Sequence, residues 1–348
     1  MTTLTSPIDL LAAVPFLIGF QPESSIVLIG LRESSIEVAM RVDFPNEADP
    51  ELNAKLSSHL RDNAIESALL VSYIPDSPSE VDLVIKTLSE AIESVGVEIR
   101  ESLIVVGDRW RSLICDDTEC CPEEGQPLPD LSTSRITAEQ ISLGNPLPFK
   151  DESMMVESLL PMSLDPEVDD EITRCLEFSK NMTTGEIQKQ GAESFLDLVS
   201  DFQADGICRD KKLIALVLVR LHDLQVRDFA LGTVSEEKLH LYCDFFKWLL
   251  KSAPKGYVAP AATLFAAVSY ERGDGAIAHR AIDRALEDSP NYSLALLLRQ
   301  VFTTGRNPEF FRVMRAELHP KVCDAIFSGS MSALTSVFPR KSRTMNFA

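Results

Sequence analysis

The feature that most constrains the fold is a change in hydrophobic pattern part-way along the chain. Ile26 to Leu31 is a short apolar run rich in β-branched residues, and Ile36 to Phe44 alternates apolar and polar side chains. These patterns predict a buried strand and a half-buried strand joined as a hairpin. Amphipathic helical spacing follows at Pro50 to Ile65 and at Ser79 to Val95. Beyond residue 165 strand patterns almost vanish, so the chain divides into two kinds of structure.

Three more apolar segments complete the first part. Ala68 to Ile74, Val97 to Val106 and Arg109 to Cys115 predict strands, the last two joined through a tight turn at Gly107-Asp108. A helix is expected from Ser6, with Pro7 at its first position and an end near Pro15. After that helix, the order β-β-α-β-α-β-β predicts a mixed sheet with flanking helices.

Proline and polar residues suggest where the first domain ends. They cluster from Pro122 to Leu131 and again from Gly144 to Asp151, on either side of a short helix. We therefore expect a mixed α/β domain over residues 1–150, with a cysteine-containing β-hairpin. An all-α domain is expected over 151–338 and a flexible basic tail over 339–348. Helices are predicted at 166–181, 186–203, 211–223, 236–251, 259–272, 275–288, 292–303 and 308–318.

One helical pair in the second domain has the spacing of a tetratricopeptide-type repeat. Gly273, Ala278, Ile282, Ala285 and Pro290 match its small, apolar and terminating positions. Only one such unit is visible, whereas solenoids need about three repeats for stability. Two interpretations remain open: an ordinary helical hairpin in a bundle, or a degenerate repeat array that offers a groove to a peptide.

Charge and cysteine usage limit the partners and the compartment. The net charge is −20, and residues 1–150 carry 25 acidic against 10 basic residues. Such a surface repels phosphate backbones, so we expect no nucleic-acid binding through the first domain, and a basic protein partner would be attracted. No apolar run is long enough to span a bilayer. Seven scattered cysteines fit a reducing cytoplasm better than a disulfide framework.

The segment from Gly107 to Gly125 holds three of the seven cysteines and one of the two tryptophans. We expect Cys115, a polar turn and then Cys120-Cys121 on a return strand, which could bring the thiols together. Neighbouring carboxylates discourage thiolate formation. Three interpretations remain: small packing residues, a reversible disulfide, or a metal site. The spacing lacks paired C-x₂-C units and a nearby histidine, so we assign no metal and no cofactor.

No complete catalytic motif is present, so the catalytic residues are unknown. The chain lacks a P-loop, a dinucleotide-binding glycine motif, a zinc-protease motif and a nucleophile elbow. Its five histidines are isolated from one another in sequence. If a small ligand is bound, we expect it at one end of the first sheet, where Glu23, Ser24, Arg109 and Trp110 are the candidate contacts.

Three segments resemble a known family. They are Pro15 to Ser25, the run Arg109-Trp110-Arg111-Ser112 with Cys115 and Cys120-Cys121-Pro122, and Gly273 to Ala278 with the motifs that follow it. Together they are similar, over nearly the whole chain, to the actinobacterial domain of unknown function 4192. Members often carry His at the position of Gln21 and Trp at that of Arg111. The resemblance implies an actinobacterial cytoplasmic protein and no particular reaction.

Three hypotheses about function follow. The first is a non-catalytic interaction or regulatory protein, in which the helical domain binds a protein partner. The second is a small-ligand-binding protein or enzyme with its site at the end of the first sheet. The third is a thiol redox or metal switch at Cys115, Cys120 and Cys121. The absence of catalytic motifs favours the first and makes an enzyme the less favoured interpretation.

Overall fold

A computed structural model describes residues 3–76, 80–162, 165–303 and 309–327. These described residues fall into two compact units. Unit 1 takes the described residues within 1–160, 269–283 and 291–308, and unit 2 takes those within 161–268, 284–290 and 309–348. The expected division at residue 150 stays a prediction. The expected basic tail, residues 339–348, lies outside the described residues.

Unit 1 is built on one mixed sheet of six strands. The strands are β1 Ser25–Arg32, β2 Ser35–Asp43, β3 Ser67–Tyr73, β4 Glu98–Val106, β5 Arg109–Ser112 and β6 Gln126–Pro127. They lie in the order β2-β1-β3-β4-β5-β6. β3 and β4 are parallel, and the other neighbouring pairs are antiparallel. This confirms the predicted mixed sheet with flanking helices, and adds a two-residue edge strand that no sequence pattern indicated.

Helices cover both faces of this sheet, which explains the unbroken apolar run in β1. The helices are α1 Pro7–Ile18, α2 Pro50–Asp62 and α3 Val81–Ser94. Ile26 and Leu28 belong to the core that contains α2 and α3 side chains. Val27 and Ile29 belong to the core that contains α1 side chains. Because successive residues of a strand point to opposite faces, a strand covered on both sides needs apolar residues at every position.

The prediction that the first helix ends near Pro15 is wrong. Helix α1 continues to Ile18 and contains Pro15. It ends at Gly19, whose backbone has the left-handed φ of 86° and whose N–H donates to the carbonyl oxygen of Pro15 at 2.8 Å. Proline in a helix removes one backbone donor. Burial of most of the helix, from Asp9 to Pro15 and again at Ile18, offsets that loss.

The turn between β4 and β5 follows the prediction, whereas the length of β5 does not. Gly107 has a φ of 57°, and Val106 pairs with Arg109 across the two-residue turn. Glycine is favoured at such a turn because other residues rarely adopt positive φ. The predicted strand from Arg109 to Cys115 is too long, because β5 ends at Ser112. Residues 113–125 form a loop that leads to β6.

The rest of the described chain is helical. Its helices are α4 Arg135–Ser142, α5 Glu152–Glu157, α6 Pro166–Ser179, α7 Thr184–Asp205, α8 Lys211–Arg220, α9 Leu224–Gly232, α10 Leu239–Ser252, α11 Val258–Glu271, α12 Gly275–Asp288, α13 Ser293–Thr303 and α14 Glu309–Phe327. In the described residues beyond 165, no strand occurs, as the pattern predicted. The sequence missed α9, and it ended α14 too early, since this helix continues through Pro320.

Aromatic packing forms the core of unit 2. Phe195 of α7 and Phe245 and Phe246 of α10 are completely buried. The ring centroids of Phe195 and Phe245 lie 5.7 Å apart in an edge-to-face arrangement. Such pairs stabilise a core beyond the area that they bury.

The segment that leads into α11 is tied to the last residue of α12, and both belong to unit 2. The carboxylate of Asp288, the last residue of α12, accepts hydrogen bonds from the backbone N–H groups of Gly256, Val258 and Ala259 at 2.6 to 3.1 Å. Val258 and Ala259 begin α11, where the backbone N–H groups have no partner within the helix, and Gly256 lies just before it. Ala278 and Ala285 are completely buried. The contacts fit both interpretations of this pair, and its repeat-like character stays a prediction.

Candidate functional site

The loop from Leu113 to Gly125 is anchored at its beginning by the end of β5. The hydroxyl of Ser112 donates to the Oε1 atom of Glu101 at 2.6 Å. The same hydroxyl oxygen accepts from the backbone N–H groups of Ile114 and Cys115, each at 3.2 Å. Leu113 donates its N–H to the carbonyl oxygen of Ser102 at 2.7 Å. These bonds fix the backbone that carries Cys115.

A tight turn holds the other two cysteines. The carbonyl oxygen of Asp117 accepts from the N–H of Cys121 at 2.7 Å. The Oδ1 atom of Asp117 accepts from the N–H groups of Glu119 and Cys120 at 2.9 and 3.4 Å. The amide of Gln126 in β6 donates to the carbonyl oxygen of Cys120 at 3.1 Å. Aspartate commonly stabilises turns through such side-chain to backbone bonds.

Arg109 closes the end of the loop. Its Nε atom donates to the carbonyl oxygen of Glu124 and its Nη2 atom to that of Gly125, both at 2.7 Å. Gly125 has a φ of 76°, and a Cβ atom there would lie 2.9 Å from the carbonyl oxygen of Trp110. Only glycine satisfies both conditions. The guanidinium of Arg109 therefore positions the loop through these hydrogen bonds.

This scaffold brings three thiols together. The Sγ atoms of Cys115, Cys120 and Cys121 all lie within 4.8 Å of one another. Cys120 is exposed, Cys115 and Cys121 are half-buried, and all three are free. The prediction of a strand, a polar turn and a return strand is wrong in detail, because the cysteines lie in the loop between β5 and β6. The expected proximity of the thiols nevertheless occurs.

The electrostatic environment favours the protonated form of the Cys120 thiol and attracts cations. A hydrogen bond with Cys121, followed by the charges of Cys121 and Cys115, raises the pKa of Cys120 to about 11. Negative charge on the neighbouring sulfur atoms thus makes ionisation of Cys120 harder. Five carboxylates occupy the same loop, at Asp116, Asp117, Glu119, Glu123 and Glu124. A bound cation removes the repulsion between thiolates.

The geometry suits three-sulfur coordination of a metal ion. Tetrahedral zinc with Zn–S bonds of about 2.3 Å separates its sulfur atoms by about 3.8 Å, so small movements of the loop suffice. Among the described residues, these three cysteines are the only group of three or more His, Cys, Asp or Glu side chains with ligand atoms this close together.

The other candidate residues lie at one end of the sheet without meeting. Ser25 pairs with Tyr73, Tyr73 with Val105, and Val105 with Trp110. Glu23 and Ser24 precede Ser25, so they are three strand spacings from Arg109 and Trp110, or roughly 14 Å.

Ser24 and Trp110, two of these candidates, have environments that the local structure explains. Ser24 has a φ of 43° and accepts from the N–H of Phe44 through its carbonyl oxygen at 2.8 Å. Trp110 is only 7% exposed and belongs to the core beneath α1. Its indole nitrogen is buried and has no hydrogen-bond partner. A ligand site formed by Glu23, Ser24, Arg109 and Trp110 stays a prediction.

A histidine–cysteine pair in α14 was missed by the sequence analysis. The Nε2 atom of His319 lies 3.5 Å from the Sγ atom of Cys323. Burial raises the pKa of Cys323, and burial followed by the charge of Arg315 lowers the pKa of His319. Both shifts favour a neutral pair at pH 7. Their spacing of four residues, which places both on one helical face, is the signal that could have revealed the pair.

Comparison with known proteins defines the class to which this chain belongs. A family model described as domain of unknown function (DUF4192) matches residues 7–309. The match covers most of the chain, including the sheet and the thiol loop, so the chain belongs to this family. No curated protein matches it, and no solved structure matches it. Within the described residues, no helix is both long and apolar enough to cross a membrane.

Proposed function

We propose that this chain is a non-catalytic regulatory protein that binds one thiophilic metal ion through Cys115, Cys120 and Cys121. The observation that carries the proposal is the approach of their three Sγ atoms to within 4.8 Å. Zinc is the reference ion, because thiolates bind it strongly and it needs no redox chemistry. The ion would fix the loop between Leu113 and Gly125, and the ordered loop would report that the metal is bound.

Two physical arguments favour metal binding over a fast thiol redox sensor. Redox sensors rely on a low thiol pKa, whereas the pKa of Cys120 is raised to about 11. A raised pKa hinders oxidation but not metal binding, because a metal ion displaces the thiol proton. The carboxylates of the loop also draw cations to the site. We place the protein in a reducing compartment, the cytoplasm, where the three thiols stay available to the ion.

The experiment measures metal binding by purified, reduced protein. Zinc is titrated against a chromophoric chelator, and bound metal is counted by elemental analysis. We expect one ion per chain in the wild type, and none in the triple variant with Cys115→Ser, Cys120→Ser and Cys121→Ser. The matched control is Cys175→Ser, which removes a half-buried thiol of α6 and should retain the ion. Equal metal content in the wild type and the triple variant would refute the proposal.

A protein-interaction role is the second candidate. It is supported by the sequence spacing of Gly273, Ala278 and Ala285, which is typical of tetratricopeptide-type repeats, and by the complete burial of Ala278 and Ala285. Leu297 on the next helix, α13, is 55% exposed. The acidic charge favours a basic partner, and nucleic acid is disfavoured.

The test of this second role places a photo-crosslinking side chain at position 297. The control places the same side chain at position 83, where Leu83 of α3 is 45% exposed. We expect a discrete adduct from position 297 alone. Equal yields of crosslinked adduct from positions 297 and 83 would contradict this hypothesis.

A further inference from the structure

The ligand atoms that the thiol loop, residues 113–125, brings together are all sulfur. They are the Sγ atoms of Cys115, Cys120 and Cys121, which lie within 4.8 Å of one another. Zinc is of intermediate softness and binds nitrogen and oxygen as well as sulfur. Softer ions gain more from polarisable ligands, so a set of ligands made of sulfur alone favours them. The composition of the site therefore points to an ion that is softer than zinc.

The three sulfur atoms also present one triangular face to an ion. Cys120 is exposed, whereas Cys115 and Cys121 are half-buried, so an ion from solvent reaches this face at Cys120. An ion placed above the triangle receives three bonds from one side. Trivalent arsenic has this geometry, because it forms three bonds and keeps a lone electron pair on its remaining side. Tetrahedral zinc completes its shell with a fourth ligand.

The charge of the loaded site separates the soft ions from one another. The Oδ1 atom of Asp117 accepts from the backbone N–H of Cys120 at 3.4 Å, and five carboxylates occupy the loop. A monovalent ion on three thiolates carries two negative charges, a divalent ion carries one, and a trivalent ion carries none. Carboxylates attract a cation as it approaches, but they repel a loaded site that is itself negative. A trivalent ion avoids that repulsion.

Hydrogen bonds hold the backbone of the loop in place for three successive bonds. The Oγ atom of Ser112 accepts from the N–H of Cys115 at 3.2 Å, and the amide of Gln126 donates to the carbonyl oxygen of Cys120 at 3.1 Å. After the first bond to arsenic, the next two form within the same molecule and benefit from a high effective concentration. The third bond distinguishes this site from a pair of thiols, which leaves one hydroxide on the arsenic.

We propose, building on the metal site proposed above, that the ion recognised by this loop is trivalent arsenic, taken up as arsenous acid. Three As–O bonds break and three As–S bonds form, one each to Cys115, Cys120 and Cys121. Each hydroxide leaves as water with the proton of one thiol. Arsenic stays trivalent, so the step consumes no oxidant or reductant, and the product is neutral. The loop ordered in this way reports arsenic.

The test compares sodium arsenite with zinc on the reduced, full-length chain. X-ray absorption at the arsenic edge counts the sulfur and oxygen neighbours, and elemental analysis measures how much zinc arsenite displaces. In the wild type we expect three sulfur neighbours, no oxygen, and displacement of most of the zinc by equimolar arsenite.

A single substitution tests the third bond. Cys115→Ser leaves the pair Cys120 and Cys121, so arsenic should show two sulfur neighbours and one oxygen. Because one intramolecular bond is lost, we expect arsenite to bind at least about tenfold more weakly. The matched control is Cys175→Ser, which alters a half-buried thiol of α6 and should retain three sulfur neighbours.

The outcomes distinguish this inference from the proposed function. If zinc binds but arsenic in the wild type keeps an oxygen neighbour, the choice of arsenic is wrong and the zinc site stands. The same holds if zinc binds and excess arsenite does not displace it, or if Cys115→Ser binds arsenite as tightly as the wild type. If neither zinc nor arsenite binds, both proposals fail.

Discussion

Replacing Cys120 by serine should change how metal affinity depends on pH. Its sulfur neighbours raise the pKa of Cys120 to about 11, so this thiol is protonated at pH 7. Zinc must displace that proton, so Cys120 alone makes the logarithm of the apparent association constant rise by about one unit per pH unit. In Cys120→Ser this contribution is lost, and the slope should fall by about one. The affinity itself should also fall, because one of three sulfur ligands is missing.

The assay is a chelator competition at several pH values between 6 and 8.5, with the protons released on binding counted independently in a weakly buffered indicator solution. Cys120→Ser should release about one proton fewer per ion at pH 7. Because Cys120 is exposed, the melting temperature without metal should stay unchanged. Cys175→Ser should reproduce the wild-type slope. Identical slopes in the wild type and Cys120→Ser would show that this thiol is not a ligand.

Three further predictions concern the fold. Leu88→Ala, which empties a completely buried position of α3, should lower the free energy of unfolding in urea by about 2–5 kcal/mol, whereas Leu83→Ala, at an exposed position of the same helix, should change it little. Asp288→Ala removes the hydrogen-bond acceptor at the start of α11 and should lower the free energy of unfolding by about 1–2 kcal/mol. The neighbouring Glu287→Ala should leave the free energy of unfolding unchanged. Equal effects of the two substitutions would argue against the cap. Burial raises the pKa of Asp9, but hydrogen bonds from Thr5 and the ion pair with Arg135 outweigh it and lower the pKa below 3.8. The stability that Asp9 contributes is therefore present above pH 3.8 and is lost as the pH falls through the lower pKa of the folded state. In Asp9→Asn the free energy of unfolding should depend less steeply on pH below 3.8. An unaltered dependence on pH would contradict this assignment.

The strand pattern of the first domain was predictable because burial there has a simple period. Two-sided burial makes β1 continuously apolar, and Ile36 to Phe44 alternates because β2 is less buried than β1. Helix α9 was missed because its apolar residues continue the pattern of α8. The chain separates the two helices at Asp223, whose carboxylate accepts from the N–H groups of Gln225 and Val226. That capping signal is visible in the sequence and marks a helix start.

The candidate site was only partly predictable. The cysteine spacing matches no zinc pattern, so local sequence alone argued against a metal. The approach of the thiols depends on Ser112 bonded to Glu101, on the Asp117 turn and on Arg109 holding Gly125. Two of these bonds join residues far apart in sequence, and no pattern of residue types specifies them.

X-ray absorption at the zinc edge of the loaded protein tests the central claim most directly. If Cys115, Cys120 and Cys121 hold the ion, the spectrum should show three sulfur neighbours at about 2.3 Å and one lighter ligand. The Cys175→Ser variant should give the same spectrum. A first shell of nitrogen and oxygen atoms alone, or a shell of sulfur atoms that persists in the triple serine variant, would contradict it.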